Sequence, residues 1–289
     1  MNRAAWTYFA AQRWAQKALQ DSPVDPGAPQ FLLEQRHGWD TTHLLLHNRD
    51  LMPADEQEWF EAAVKQLLKN VPAQYIVGKT TFYGRPFRVT RDVLIPEPET
   101  AELVDWVLAM VKTTTPLEVL DLGTGSGVIG ITLAMERPNW RVTLSDVSPA
   151  ALTVARENAD YLGAKVQTVT SDLFDQLVGA RFDLIVTNPP YIDSAAKDKM
   201  DRAVLKYEPP LALFADEHGL GFYHRLFTQV GAHLTADGQV FAETSYDQED
   251  SIQELLKRCD KNATITVRHD VAGKMRMMHA WDFSGAGGN

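Results

Sequence analysis

Two short stretches carry residue types suited to chemistry. Asn188-Pro189-Pro190-Tyr191 follows the apolar, β-branched run Phe182-Asp-Leu-Ile-Val-Thr187. Consecutive prolines exclude helix and interior strand, so they hold a rigid turn at the end of that run. The turn presents the Asn188 amide, the Pro189 carbonyl and the Tyr191 ring. Asn188 Oδ1 and the Pro189 carbonyl can each accept one hydrogen of a planar –NH2 group, with Tyr191 packed on its face. The second stretch is Asp121-Leu-Gly123-Thr124-Gly125-Ser-Gly127. Its glycines let the backbone approach a ligand closely and leave helix N–H groups aimed at it. Gly125-Ser-Gly127-Val-Ile-Gly130 also satisfies the dinucleotide fingerprint. The loop alone therefore does not separate a nicotinamide cofactor from S-adenosylmethionine. Asp146 ends the next strand, where an acid takes the ribose hydroxyls of either cofactor. Asp172 ends the third, where a carboxylate can accept from an adenine amino group. Both could instead cap helices in strand–helix loops. Asp121 is expected to brace the loop or to meet a cationic end of the ligand.

The turn distinguishes the two cofactors. An amide nitrogen is a poor nucleophile, because its lone pair is delocalised into the carbonyl. Two acceptors on its hydrogens orient it and stabilise the positive charge that develops as it attacks a sulfonium methyl. A hydride transfer would instead ask for a general acid or base beside the nicotinamide. His218, His224 and His233 are available in the sequence, but nothing places them there.

These stretches need a sheet to carry them. From Leu117 the pattern alternates strand and helix: strands at 117–122, 141–145, 165–170 and 182–187, helices at 128–136 and 149–162. Ser148 is the expected N-cap and Gly163 the C-terminal stop of the second helix. A loop from Ile192 to about Glu217 is too long to be idle. A helix at 221–234, a strand at 238–244, a helix at 248–259 and an antiparallel pair at 265–270 and 276–282 follow. The Gly-rich end from Ser284 is expected to fray. Before this domain, Trp6 to Trp14 has helical spacing and segments 31–36, 42–46 and 54–68 continue as short helices, with Thr41 or Thr42 as a cap. Thr80 to Val89 reads as a hairpin about Gly84, and a helix runs from Pro98 to about Lys112. His37, His43 and His47 lack a carboxylate or cysteine at ligand spacing, so they read as surface or packing residues and no metal is expected.

Composition sets the outer limits. The chain has 289 residues, 45% of them hydrophobic, enough for one large or two modest domains. No apolar run approaches the ~18 residues of a membrane span, and the start has no apolar signal-peptide core. The single Cys259 fits a reducing compartment. A net charge of -10 argues against a broad basic surface for nucleic acid.

Asn-Pro-Pro-Tyr after the fourth strand with Asp-Leu-Gly-Thr-Gly-Ser-Gly after the first resembles the amino-type S-adenosylmethionine-dependent methyltransferases. Pro72-Ala-Gln-Tyr-Ile-Val-Gly78, Phe82-Tyr-Gly84, Val93-Leu-Ile-Pro96, Tyr207-Glu-Pro-Pro-Leu-Ala-Leu213, Gly219-Leu-Gly-Phe-Tyr223 and Asp270-Val-Ala-Gly273 narrow this. Together they are similar to the HemK/PrmC family, which methylates the glutamine of the Gly-Gly-Gln loop of peptide chain release factors.

The resemblance implies an α/β, Rossmann-like class I methyltransferase sheet with an antiparallel C-terminal edge hairpin, preceded by a small helical bundle. It implies a substrate-docking domain at 1–75, a hairpin linker at 76–95 and a methyltransferase domain at 96–289. Asp121, Gly123, Thr124, Gly125, Gly127, Asp146, Asp172, Leu173 and Asn188 would hold S-adenosyl-L-methionine. Asn188, Pro189, Pro190 and Tyr191 would hold the glutamine amide, with Phe82, Pro96, Glu99 and Thr100 as walls. The partner would be a release factor, met by a cytoplasmic monomer without direct nucleic-acid or membrane binding. The family usually reads Pro-Arg-Pro-Glu/Asp-Thr-Glu where this chain has Pro96-Glu97-Pro98-Glu99-Thr100-Ala101, a departure in that wall. The alternatives are a glutamine methyltransferase of a large-subunit ribosomal protein, an adenine methyltransferase, a non-catalytic S-adenosylmethionine-binding module and a nicotinamide oxidoreductase.

Overall fold

The computed structural model describes residues 5–112, 114–270 and 273–288. Val271 and Ala272 of the Asp270–Gly273 motif lie outside them. By contacts the chain divides into two units. One reaches Thr80 and takes in Asp201–Tyr207; the other comprises Thr81–Met200 and the chain from Glu208 onward.

The first unit is helical: α1 (Tyr8–Leu19), α2 (Ala28–His37), α3 (Thr41–Leu46), α4 (Ala54–Leu67) and α5 (Ala73–Val77). Thr7 caps α1, its hydroxyl accepting from Ala10 N at 3.1 Å. Tyr8, Ala11, Ala15 and Leu19 recur at helical spacing and bury against Leu32, Leu33, Phe60 and Val64. The cap of α3 is Asp40, not Thr41 or Thr42; its Oδ1 accepts from His43 N at 2.8 Å. A carboxylate one residue earlier competes successfully for that role, because it adds charge to the cap acceptor. The three histidines also differ from expectation, since each has its own carboxylate. His43 meets Asp40 at 2.8 Å, His47 meets Asp50 at 2.7 Å and His37 meets Glu56 at 2.5 Å. They do not converge, and among the described residues no three His, Cys, Asp or Glu side chains could share a metal ion.

A hairpin of β1 (Lys79–Phe82) and β2 (Arg85–Arg88) turns at Tyr83-Gly84, as the sequence predicts. Then come α6 (Pro98–Met110), β3 (Glu118–Leu122), α7 (Val128–Glu136), β4 (Arg141–Asp146), α8 (Pro149–Leu162), β5 (Val166–Thr170) and β6 (Phe182–Thr187). Ser148 and Gly163 bound α8 as expected. The segment expected as one long loop instead holds five short elements. These are β7 (Ile192–Asp193), α9 (Arg202–Tyr207), α10 (Pro210–Leu213), β8 (Phe214–Ala215) and α11 (Asp216–Gly219), with a 3-10 turn at Ser194–Lys199. Such pieces are too short to show a hydrophobic period. In the first unit α9 is tied by the Tyr207 hydroxyl, which donates to Lys69 O at 2.8 Å. The chain finishes with α12 (Gly221–Gln229), β9 (Leu234–Glu243), α13 (Glu249–Cys259), β10 (Thr264–His269) and β11 (Met275–Trp281).

Among the described residues seven strands form one sheet in the order β10-β11-β9-β6-β3-β4-β5. The five from β9 to β5 are parallel, and β11 and β10 close the edge antiparallel. Alternation within the central strands explains the layers. Val119, Leu184, Val186 and Phe241 face the core that holds Val104 and Val107 of α6 and Ile131 of α7. Their neighbours Leu120, Ile185, Val240 and Ala242 face the core of Leu226 from α12 and Ile252 and Leu255 from α13. With both faces covered, the strands read as apolar runs. The C-terminal end is not frayed over residues 284–288. Ser284 N and its hydroxyl donate to Asp260 at 2.6 and 2.8 Å, and Gly287 N donates to Leu234 O at 3.1 Å. No helix among the described residues is long and apolar enough to cross a membrane.

Candidate active site

Chain order reverses between β3 and β6, and at such a switch point the crevice outside the carboxyl edge is where α/β sheets bind ligands. Asp121, Asp146, Asp172 and Asn188 all reach that edge, from β3, β4, the loop after β5 and the turn after β6. A cavity of about 510 Å3 opens there, the size of a small-molecule site. Its lining includes Pro96, Thr100, Gly123, Thr124, Gly125, Asp146, Asp172, Leu173, Asn188 and Pro190. Residues 209–217 of the supposed loop add a wall through Leu211 and Phe214.

The glycine loop is held by its own hydrogen bonds. Gly123 N and Thr124 N both donate to Ser145 O, at 2.8 and 2.9 Å, and Gly127 N donates to Thr124 O at 2.8 Å. Gly125 N donates to Asp146 Oδ2 at 2.9 Å. These four N–H groups, all ahead of the first turn of α7, are therefore spent inside the protein. Gly130 lets α7 approach the sheet: a Cβ there would lie 2.3 Å from Leu144 Cδ2 and 2.8 Å from Asp121 Cβ.

Asp121 is fully buried beneath the loop and braces it. Its Oδ2 accepts from Thr124 Oγ1 at 2.5 Å and from Gly130 N at 2.8 Å. Burial pushes its carboxyl up to about 6, against the pull of those two bonds. Its Oδ1 is buried with no partner, an acceptor suited to a cationic neighbour. Asp146 ends β4. It takes the Ser148 N–H at the start of α8, at 2.8 Å, and the Gly125 N–H, while lining the cavity. Burial raises its carboxyl despite both bonds. Asp172 is half-exposed and paired at 2.9 Å with Arg225 of α12, and Leu173 beside it is buried with φ 46°. An anionic pyrophosphate would face Asp146 here. A ligand with hydroxyl groups, an apolar planar part and a cationic end suits this set of acceptors and walls.

At the other end, Asn188 Nδ2 donates to Thr100 Oγ1 at 3.1 Å. Thr100 Oγ1 donates to Glu243 Oε2 at 2.8 Å, and the Tyr191 hydroxyl donates to Glu243 Oε1 at 3.1 Å. Glu243, the last residue of β9, is 1% exposed. Burial pushes its carboxyl up to about 7; Glu97 adds to the rise, and the bonds from Thr100 and Tyr191 and the charge of Arg276 oppose it. Burial, with the nearby Glu243 and Glu97 carboxylates, raises Tyr191 strongly, so it stays a neutral donor. The back of the turn is held by Gln248, whose Nε2 donates to Tyr191 O at 3.1 Å. Gly219, at φ 87°, allows this contact: a Cβ there would lie 2.2 Å from Tyr191 O.

Some of the named residues sit elsewhere. Phe82 is 4% exposed and packs edge-on against Phe87 in the core, away from the cavity lining. Asp121, Gly127 and Glu99 are also absent from that lining; Pro189 and Tyr191 alternate along the turn with the lining residues Asn188 and Pro190, and the Tyr191 hydroxyl donates to Glu243. Glu243 and Arg225 escape sequence reasoning. The available signal for Glu243 is a carboxylate ending a buried strand, Gln239-Val-Phe-Ala-Glu243, as Asp121 and Asp146 do in theirs.

Residues 10–78 match the PrmC N-terminal domain and residues 105–208 the methyltransferase small domain. The chain is 39% identical over 270 residues to a release factor glutamine methyltransferase of Enterococcus faecalis, covering 93% of this chain and 97% of that one. It is 38% identical over 264 residues to the Lactococcus lactis protein of the same name, covering 91% and 97%. A methyltransferase structure from Pyrococcus furiosus shares the fold, with a TM-score of 0.52 at 16% identity over 76% of this chain and 96% of that one. Two relatives of this identity, aligned almost end to end, join a site built around an Asn-Pro-Pro-Tyr turn and a carboxylate-bearing glycine loop, and so place the chain in the release factor glutamine methyltransferase family.

Proposed function

We propose that the protein transfers a methyl group from S-adenosylmethionine to the side-chain amide nitrogen of the glutamine in the Gly-Gly-Gln loop of a peptide chain release factor. The observation that carries this reading is the orientation of Asn188. Its Nδ2 is committed to Thr100, which leaves Oδ1 as an acceptor for the cavity it lines. A substrate –NH2 offers two donors, and Asn188 Oδ1 with the Pro189 carbonyl would take them.

Gly123, Thr124, Gly125, Asp146, Asp172 and Leu173 would hold the cofactor, with Asp121 bracing the loop from below. When bound, S-adenosylmethionine supplies an electrophilic methyl on a cationic sulfur. The residues of this chain do the rest. The two acceptors orient the nitrogen lone pair and stabilise the charge that builds on nitrogen. The apolar walls exclude water. No strong base is needed at the outset, because the product nitrogen becomes acidic as it gains the methyl and its proton leaves afterwards.

The helical segment 1–75 would dock the release factor and residues 76–95 would link it to the methyltransferase domain. The net charge of -10 suits a protein partner better than nucleic acid. We place the enzyme in the cytoplasm, where release factors act, as a monomer. Mass spectrometry of an unmethylated release factor, incubated with the protein and S-adenosylmethionine, tests the reading. A gain of one methyl on the Gly-Gly-Gln glutamine is expected. Methylation of a large-subunit ribosomal protein instead, or of no partner, would overturn it.

A further inference from the structure

The hydrogen bonds behind Asn188 have a direction, and Glu243 decides it. An ionised carboxylate only accepts. Its Oε2 therefore takes the one hydroxyl proton of Thr100, at 2.8 Å, and its Oε1 that of Tyr191, at 3.1 Å. With that proton spent, Thr100 can only accept from Asn188, so the 3.1 Å contact must be donated by Nδ2. The Asn188 amide is thereby locked with Oδ1 left for the cavity. A protonated Glu243 could donate to Thr100 instead. The Thr100 proton would then turn to Asn188, whose amide would flip and offer –NH2 to an incoming –NH2. Two donors would face each other where the reaction needs an acceptor.

We propose that the negative charge of Glu243 sets the polarity of the Asn188–Thr100–Glu243 chain and so presents Asn188 to the substrate amide as an acceptor. The proposal rests on the glutamine-methylating reading above and deepens it. Glu243 touches neither substrate nor cofactor; it is a positioning residue. The groups facing it are Thr100 and Glu97 at the start of α6, Tyr191 from the turn and Arg276 from β11. Tyr223 of α12 donates to its backbone carbonyl. Glu97 favours the protonated form and Arg276 the ionised one. With its carboxyl near 7, Glu243 changes charge across the neutral range.

The test is single-turnover methylation of the release factor at saturating cofactor, from pH 5.5 to 9. In the wild type the rate falls as pH drops below about 7. Glu243→Gln is expected to lower the rate about tenfold or more at pH 8, with cofactor affinity and substrate KM little changed, and to remove the acid limb. Thr100→Val is expected to lose as much and to add nothing to Glu243→Gln in the double variant. Thr100→Ser recovers most of the lost rate, and Glu97→Gln moves the acid limb to lower pH. An unchanged acid limb in Glu243→Gln, or full additivity with Thr100→Val, overturns the proposal. A second readout needs no turnover. In protein labelled with 13C-glutamate and 15N-asparagine, the Asn188 side-chain amide resonance should titrate with the Glu243 carboxyl in the wild type and not in Thr100→Val. Independent behaviour of the two resonances refutes the relay even if methylation is observed. Coupled titration without methylation refutes the assigned substrate and leaves the relay standing.

Discussion

Burying Glu243 as a carboxylate has a stability cost whose size and pH dependence follow from its surroundings. The unfolded chain releases the Glu243 proton near the ordinary value of 4.5, and the folded protein holds it up to about 7. Between those values the folded state binds more protons than the unfolded one, so stability falls as pH rises. The penalty is absent below about 4.5 and complete above about 7. At about 1.4 kcal/mol per pH unit it amounts to about 3 kcal/mol. Glu243→Gln removes the ionisable group and is expected to flatten the stability profile of the second unit by that amount between pH 5 and 8. The difference in slope is the quantity to compare, because the substitution also changes the bonds to Thr100 and Tyr191. Asp121, pushed up to about 6 by burial, adds a slope of the same sign in both proteins and cancels in the comparison. Hydrogen exchange of the β9 amides, corrected for the intrinsic pH dependence of exchange, reports the unit that holds Glu243. A global melt would mix both units. Equal slopes for the wild type and Glu243→Gln would refute the reasoning, since the buried charge would then carry no linkage.

Three further substitutions test the site. Asn188→Ala is expected to leave cofactor affinity within a few-fold and to lower turnover on the order of a hundredfold or more, measured by single-turnover kinetics. Unchanged turnover would remove Asn188 from the chemistry. Asp146→Ala is expected to weaken cofactor binding about tenfold or more by calorimetry, because it removes the acceptor for Gly125 N as well as a cavity carboxylate. Gly219→Ala should lower both melting temperature and turnover, because the added methyl meets Tyr191 O at 2.2 Å and a left-handed φ. Wild-type values for both would mean that the turn tolerates displacement.

Much of the fold is legible because its signals are local. The run Phe182–Thr187 is a strand residue for residue, and Ser148 and Gly163 bound α8 where their cap chemistry requires. The proline pair and the glycine loop mark the two ends of the cavity before any contact is known. What escaped is non-local or too short. Thr100 and Glu243 are 143 residues apart in sequence, so no spacing rule joins them. The pieces between Ile192 and Gly219 span two to six residues, below the length at which periodicity speaks. The Gly-rich end looked free because glycine carries no packing signal, yet its backbone finds partners in Asp260 and Leu234. His37 takes as its partner Glu56, 19 residues away, only through packing of α2 against α4.

The order of the chemistry was determined by the sequence alone. A strand must end before Pro189, a glycine loop must follow β3, and acids stand at the ends of the next strands, because backbone and side-chain preferences act over a few residues. The tertiary structure decided the state of those groups. Only burial on both faces of the sheet lifts the Asp121 and Glu243 carboxyls toward neutrality, and only the meeting of α6, β9 and the β6 turn gives Asn188 its direction. Charge and hydrogen-bond polarity depend on which atoms are close in space and how little water reaches them, and sequence order carries neither quantity.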